Sequence, residues 1–450
     1  MEAIGKLRSF IFLNRFIDDY SRRIKSNSAI RQSACLAVLA ACNGALALFM
    51  SWFVVSRIGV SGETDAFFAS TALPQFVFIL LTTTLLPVLV PIFATQNDKH
   101  FSEDVWSFFS LIAAIFIAIA IGLYLSTAAW VPMLVPGFPA AAKSLTVKLT
   151  RIQLVSMVLN AAIVTLWAAH HARHKFIWVE LSGVIANVAG LSFLVVTIRH
   201  FGIWAAAFNT VFFNTVKLLF LLPILGRFAR PKWRSLIVTQ AWQRLKPLLP
   251  GQLYLRTDPM LDRLLTSMTG PGTLSLLYVV QQMYASIILL LGKAVIAPMA
   301  PKLAIDAREG QWSHYQRTYK TRLLALLAIT FSGSICLLIS KPAFRFLIGE
   351  GGITRQNVHT LWLIMIALSG TFIGGALVQV TAGAFYAMGN TRTPTKMSAL
   401  IYTVYIPIKI VSFLKFGLIG LAIVMSSYFV TNCLIQFFQL HKDVLRKQVR

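Results

Sequence analysis

The chain has 450 residues, 57% hydrophobic and 12% charged, with a mean hydropathy of +0.72 and a formal net charge of +26. That apolarity excludes an ordinary soluble domain and puts most of the chain in lipid. The basic excess does not point to nucleic acid, because Lys and Arg are dispersed between apolar runs rather than gathered on one face.

In chain order, residues 1–30 come first. There Ile4, Leu7, Ile11, Ile17, Tyr20 and Ile24 fall near one helical stripe, with Lys6, Arg8, Arg15, Arg22, Arg23 and Lys25 mostly elsewhere. The pattern suits a helix lying at the membrane interface, and equally a frayed basic tail. No cleavable signal is expected, since the first long apolar run starts near Ala34 and is long enough to span. Windows able to cross about 30 Å of hydrocarbon follow at 34–57, 65–95, 106–132, 149–170, 177–198 and 203–225. After a basic connection they resume at 247–269, 273–301, 322–340, 358–387, 397–414 and 418–440. The fold expected is therefore all-α: a polytopic membrane protein of about 12 transmembrane helices in two six-helix lobes. Its parts are an N-lobe at 31–226 with helices 1–6, a cytoplasmic linker at 227–246, and a C-lobe at 247–450 with helices 7–12 and a basic tail. Lys and Arg concentrate in the N-terminal stretch, in Arg227–Lys246, in Lys302–Arg322 and in the tail. All lie on one side of this topology, which places both termini in the cytoplasm.

The chain also repeats itself. An offset of 210 lays Gly62–Ala94 on Gly272–Ala304 without a gap, and Pro91 meets Pro301. An offset of 215 lays Phe201-Gly202-Ile203 on Phe416-Gly417-Leu418. Six spans per half give both halves the same orientation, so the repeat is parallel, about an axis along the membrane normal, with substrate between the halves.

Charge inside spans costs about 2.5–3.5 kcal/mol per residue and marks function by default. The seventh span carries Arg256 and Arg263, seven apart and nearly on one face, and Asp258 and Asp262, four apart on another. Pro250, Gly251 and Pro259 interrupt it, as is tolerated where backbone lines a cavity. Lys293, Lys217 and Lys409 add cations, and Asp65 opens the second span. Arg256, Arg263, Lys293 and Asp65 are the expected substrate contacts, and Asp258, Asp262 and Lys409 the expected coupling or charge-pair residues. A cationic, water-filled interior suits an anionic head group such as a diphosphate. The alternative is that Arg and Asp simply pair between helices. Lys217, near the cytoplasmic end of its span, is read as the weakest of the cations because it is able to snorkel.

Four cysteines (Cys35, Cys42, Cys336, Cys433) sit in apolar segments with neither disulfide nor metal spacing. His170 and His174 are four apart but have only Glu180 nearby as a carboxylate, so no metal is expected. There is no phosphate-binding Gly-rich loop and no connection long enough for a catalytic domain. No cofactor and no enzymatic activity are expected.

Thr64-Asp65-Ala66-Phe67-Phe68 with Leu73-Pro74 and Val90-Pro91 resembles the second helix of the MurJ (MviN) lipid II flippase family, within the superfamily that includes polysaccharide flippases and multidrug exporters. Leu277-Tyr278 with Ala300-Pro301 looks like that family's eighth helix, and Ala384-Phe385-Tyr386-Ala387 with Thr391-Arg392-Thr393-Pro394 like its tenth-helix exit. The resemblance implies a V-shaped, alternating-access bundle in the bacterial inner membrane that moves an undecaprenyl-diphosphate-linked sugar outward. Its expected partners are that lipid-linked sugar, membrane lipids and glycan-assembly enzymes. The chain departs from the family's usual arginines at Ala41, Asn43, Gly44 and Ala47, around Phe76 to Ile79, and at Val280-Gln281-Gln282. Arg256, Arg263 and Lys293 are expected to supply the missing cations. The family's sodium site would correspond to Asp258 or Asp262 facing the Tyr405–Lys409 region, where the Lys409 ammonium is expected to replace the ion. Other readings are a multidrug or cation antiporter, and a non-transporting scaffold that recruits glycan-assembly enzymes.

Overall fold

A computed structural model describes residues 34–96, 98–226, 228–233, 235–292, 295, 297–339 and 354–449. The basic segment 1–30 and Lys293 lie outside the described residues. All regular structure within them is helical, as lipid requires of an open chain whose backbone groups must satisfy one another.

The first half comprises α1 (Ala34–Ile58), α2 (Gly62–Ser70), α3 (Ala72–Ala94), α4 (Asp98–Leu134), α5 (Ala140–Ala172), α6 (Phe176–Phe201) and α7 (Ile203–Leu221). Helix α5 is its centre, packing on α2, α3, α4 and α7 and burying Leu149, Met157, Ile163 and Leu166 completely. The connection that follows is not a free loop. Lys232 donates its backbone N–H to Ser107 (2.8 Å) and its ammonium to Glu103 (2.8 Å), and Trp233 donates to Ser110 (2.9 Å). The Glu103 carboxylate holds the Lys232 ammonium above its ordinary value. Next come α8 (Leu236–Leu245), which lies on α3, then α9 (Leu249–Leu255) and α10 (Asp258–Thr266).

The second half contains α11 (Thr273–Leu291), α12 (Ala297–Arg308), α13 (Trp312–Ile339), α14 (Arg355–Ala367), α15 (Ser369–Ala387) and α16 (Arg392–Val449). Tyr284 of α11 stacks on Phe372 of α15 at 5.2 Å, and the buried Tyr315 of α13 donates to the Ala384 carbonyl (2.6 Å). Gly370 and Gly374 let α15 approach the limb of α16 that follows Gly417 closely: a Cβ at Gly374 would lie 2.6 Å from the Phe429 carbonyl carbon. Small residues four apart are the usual means of close helix approach in lipid, where packing rather than burial drives association.

Ten helical stretches among the described residues are long and apolar enough to cross a membrane, against the twelve windows of the sequence. Two departures account for this. Windows 397–414 and 418–440 fall in the single stretch α16, which leaves helical geometry at Gly417 (φ 60°, ψ −144°). The two limbs run antiparallel, since Ser398 bonds Asn432 and Tyr405 bonds Thr431. Gly202, its partner in the repeat, ends α6 with φ 54° and ψ −130°, and only glycine adopts this region without strain. The other departure is the seventh window, which is no single span. Pro250 and Pro259 each sit in the first turn of a short helix, where a missing N–H costs least, and the chain breaks at Arg256-Thr257 between them.

Candidate functional site

The halves meet through α2, α3 and α4 on one side and α9, α10 and α11 on the other. Both oxygens of Asp65, 1% exposed, are engaged here: Oδ2 accepts from the Gly272 N–H (2.6 Å) and Oδ1 from the Ser275 N–H (2.7 Å). Asp65 thus caps the N-terminus of α11, where a carboxylate also meets the positive end of the helix dipole. Ser275 is the position the 210-residue offset pairs with Asp65, so the repeated segments touch at their equivalent starts. Gly137 of the α4–α5 turn donates its N–H to Ser267 (3.4 Å) at the same end of the molecule.

The break in the seventh window creates the charged part of the seam. Lys409, from the first limb of α16, is 2% exposed and places its ammonium 2.5 Å from Asp258 Oδ1 and 2.7 Å from Asp262 Oδ1. Carboxylates four apart share a face, so one ammonium reaches both. Two further contacts hold the broken helix to that limb: Tyr254 to Thr403 (2.6 Å) and Thr257 to Tyr402 (2.9 Å). With an ammonium nitrogen already between the carboxylates, these residues do not fit a resident sodium ion.

The two arginines part company. Arg263 donates to Gln75 Oε1 of α3 (2.6 Å), Gln75 in turn donates to the Tyr278 hydroxyl (2.6 Å), and the guanidinium lies 5.7 Å from the Tyr278 ring centre. Arg256, at the end of α9, has a buried Nε without a hydrogen-bond partner and lies within electrostatic reach of Tyr428. Seven residues would put them on one face of a continuous helix. The break at Arg256-Thr257 removes that phase relation.

The cavity itself is elsewhere along the seam. About 460 Å³ in volume, it is lined from α1 by Asn43 and Gly44, from α3 by Phe78, from α5 by Trp167, from α6 by Glu180 and Asn187, from α7 by Lys217, and from α11 by Gln282 and Ser286. Arg256, Arg263 and Asp65 are not in this lining. Lys217, 8% exposed, holds its ammonium 4.4 Å from the Trp167 ring, 5.5 Å from Phe213 and 5.8 Å from Phe78. An ammonium enclosed by three aromatic faces has exchanged water for ring quadrupoles. Asn43 donates to the Glu180 carbonyl (2.9 Å) and carboxylate (3.2 Å) and accepts from Asn187 (3.1 Å), forming a polar wall beside it. Lys217 therefore does not snorkel to the cytoplasmic surface; its ammonium is buried among the three rings. The signal available in the sequence was Phe213, one turn before it on the same helix face. His170 is buried in α5 and bonded to the Leu166 carbonyl (2.9 Å).

Two sets of spanning helices, joined through a charged seam beside a cavity that holds a buried lysine, are the architecture of a multi-pass membrane transporter. The family profile described as lipid II flippase MurJ matches residues 54–449. The chain belongs to that family, one of transporters rather than catalysts. It is 23% identical over 457 residues to the probable lipid II flippase MurJ of Vibrio cholerae serotype O1, covering 92% of this chain and 83% of that relative. With the probable lipid II flippase MurJ of Buchnera aphidicola subsp. Baizongia pistaciae it shares 22% over 420 residues, 88% of this chain and 79% of the relative. Among solved structures, the lipid II flippase MurJ in its inward closed conformation aligns with a TM-score of 0.77 at 20% identity, covering 92% of this chain and 90% of that one. An inward-facing multidrug resistance MATE family transporter aligns at 0.74 and 13% identity, covering 92% and 99%. At these identities the structural likeness concerns the fold.

Proposed function

We propose that this chain moves an undecaprenyl-diphosphate-linked sugar, lipid II or a related lipid-linked oligosaccharide, from the inner to the outer leaflet of the bacterial cytoplasmic membrane, with both termini cytoplasmic. The family match over residues 54–449 carries the reading. The cavity supplies a means. Lys217 offers a point charge for a phosphate oxygen, made stronger by the water-excluding rings of Trp167, Phe213 and Phe78. Asn187, Gln282 and Ser286 offer hydrogen-bonding groups to a sugar. The prenyl tail stays in the bilayer while the halves rock. If the halves part where Asp65 joins them, its two bonds to Gly272 and Ser275 break and later re-form, a reversible latch.

The test is reconstitution in vesicles loaded with lipid II, reading the fraction that appears in the opposite leaflet. Lys217→Ala should slow movement about tenfold or more, the weight of one charge-assisted contact, and Lys217→Arg should retain part of it. Unchanged movement by Lys217→Ala, or none by the parent protein, sinks the proposal. A multidrug or cation antiporter is the second reading, favoured by the presence of Glu180 and aromatic rings in the cavity. Organic-cation movement abolished by Glu180→Gln in the same vesicles would decide for it.

A further inference from the structure

A second cavity, of about 390 Å³, lies away from the seam between α4 and α5, lined by Ile117, Ile121, Tyr124, Arg151, Val155 and Val158 among others, with no carboxylate in the lining. Ile117, Ile121 and Val155 are 47%, 56% and 51% exposed. In a membrane protein such apolar exposure faces lipid. Arg151 does not fit that surface on its own. Its Nε is buried without a hydrogen-bond partner, its guanidinium lies 5.0 Å from the Tyr124 ring centre, and no ion pair or hydrogen bond to it occurs among the described residues. A guanidinium against a lipid-facing groove is costly unless something anionic meets it.

We propose that this groove binds one anionic phospholipid, its phosphate on Arg151 and an acyl chain along the apolar wall. The order of residues on α5 has the polarity of a lipid. Lys148, Arg151, Val155 and Val158 follow at three- and four-residue steps and so share one face. Cations come first, nearer the Ala140 end of the helix, and branched apolar residues come after, deeper along it. At 1.5 Å per residue, Arg151 lies about 17 Å from the start of α5. The 33 residues of that helix span about 50 Å, some 20 Å more than the hydrocarbon. With the excess shared between its ends, Arg151 falls about 7 Å inside the hydrocarbon boundary, a depth from which a long side chain reaches the phosphate layer. The fork of donors matches phosphate oxygens, and Tyr124 supports the guanidinium plane from the other side. The occupant is a phospholipid rather than a free anion because the groove beyond the cation is lined by apolar side chains, which offer a soluble phosphate nothing further.

The experiment measures lipid affinity of the full chain by native mass spectrometry and thermal shift, with dioleoyl phosphatidylglycerol, dioleoyl phosphatidylcholine and inorganic phosphate as separate probes. Phosphatidylglycerol should bind about tenfold more tightly than phosphatidylcholine, the weight of a charge-assisted contact, and phosphate alone should give no shift. Arg151→Gln should erase the preference and Arg151→Lys keep part of it. Val155→Trp, which fills the groove and leaves the cation, should weaken both lipids. Equal affinity for the two lipids in the parent, a preference that survives Arg151→Gln, or a shift of the same size with inorganic phosphate would each overturn the proposal.

Discussion

Replacing Lys409 with Met keeps the length of the side chain and removes its charge. Asp258 and Asp262 are then left facing one another at the seam with their shared ammonium gone. Asp262 is 3% exposed, so water does not reach it to compensate. Breaking a buried ion pair from one side costs about 3–5 kcal/mol, chiefly because the abandoned charge stays buried. Asp262→Asn is milder. The Lys409–Asp258 pair survives at 2.5 Å and the new amide oxygen still accepts a hydrogen bond, so the expected cost is about 1–3 kcal/mol. The order of stabilities is therefore parent, then Asp262→Asn, then Lys409→Met, and Lys409→Met combined with Asp258→Asn and Asp262→Asn should recover much of the loss. Thermal unfolding of the detergent-solubilised protein, with and without sodium chloride balanced by choline chloride, reads this directly. Sodium should not stabilise the parent, whose carboxylates already hold a cation, and should partly stabilise Lys409→Met, whose vacated carboxylates can take one. A Lys409→Met protein melting with the parent, or sodium-dependent stabilisation of the parent that Asp262→Asn abolishes, would refute the reasoning.

Asp65→Asn removes the charge that caps α11 and leaves one of its two bonds to Gly272 and Ser275 without a suitable acceptor. The expected loss is about 1–3 kcal/mol, read as a lower melting temperature, together with altered accessibility of a cysteine introduced at that end of the seam. Gly374→Val should be harsher than an ordinary overpacking change of about 1–3 kcal/mol, because the atoms a Cβ meets at 2.6 Å belong to the Phe429 backbone, which cannot swing aside. Loss of monodisperse protein on size-exclusion chromatography is the expected result, whereas Gly251→Val, with open space around its position, should be tolerated at its surface.

Much of this protein is legible in its sequence, for physical reasons. Hydrocarbon thickness and the backbone's need to satisfy itself make long apolar runs into helices, so the membrane class and the helical windows follow from composition and length. The 215-residue offset pairs Gly202 with Gly417 in the sequence, and the structure gives both a positive φ, which a residue with a side chain adopts only with strain. Asp258 and Asp262, four apart, present one face to a partner, and the structure supplies Lys409 as that partner. What spacing does not encode is phase across a break. Arg256 and Arg263 share a face only if the helix between them is continuous, and the interruption at Arg256-Thr257 sends one towards Tyr428 and the other to Gln75. Nor does sequence say which cation meets which cavity. Lys217 is distinguished from a snorkelling lysine by Trp167 and Phe78, which come from helices distant in the chain and meet it only through packing. The apolar pattern determined that this chain lives in the membrane as a bundle of helices; the tertiary structure decided which of its buried charges are neutralised in the seam and which one stands in the cavity, because those choices rest on contacts between segments far apart in sequence.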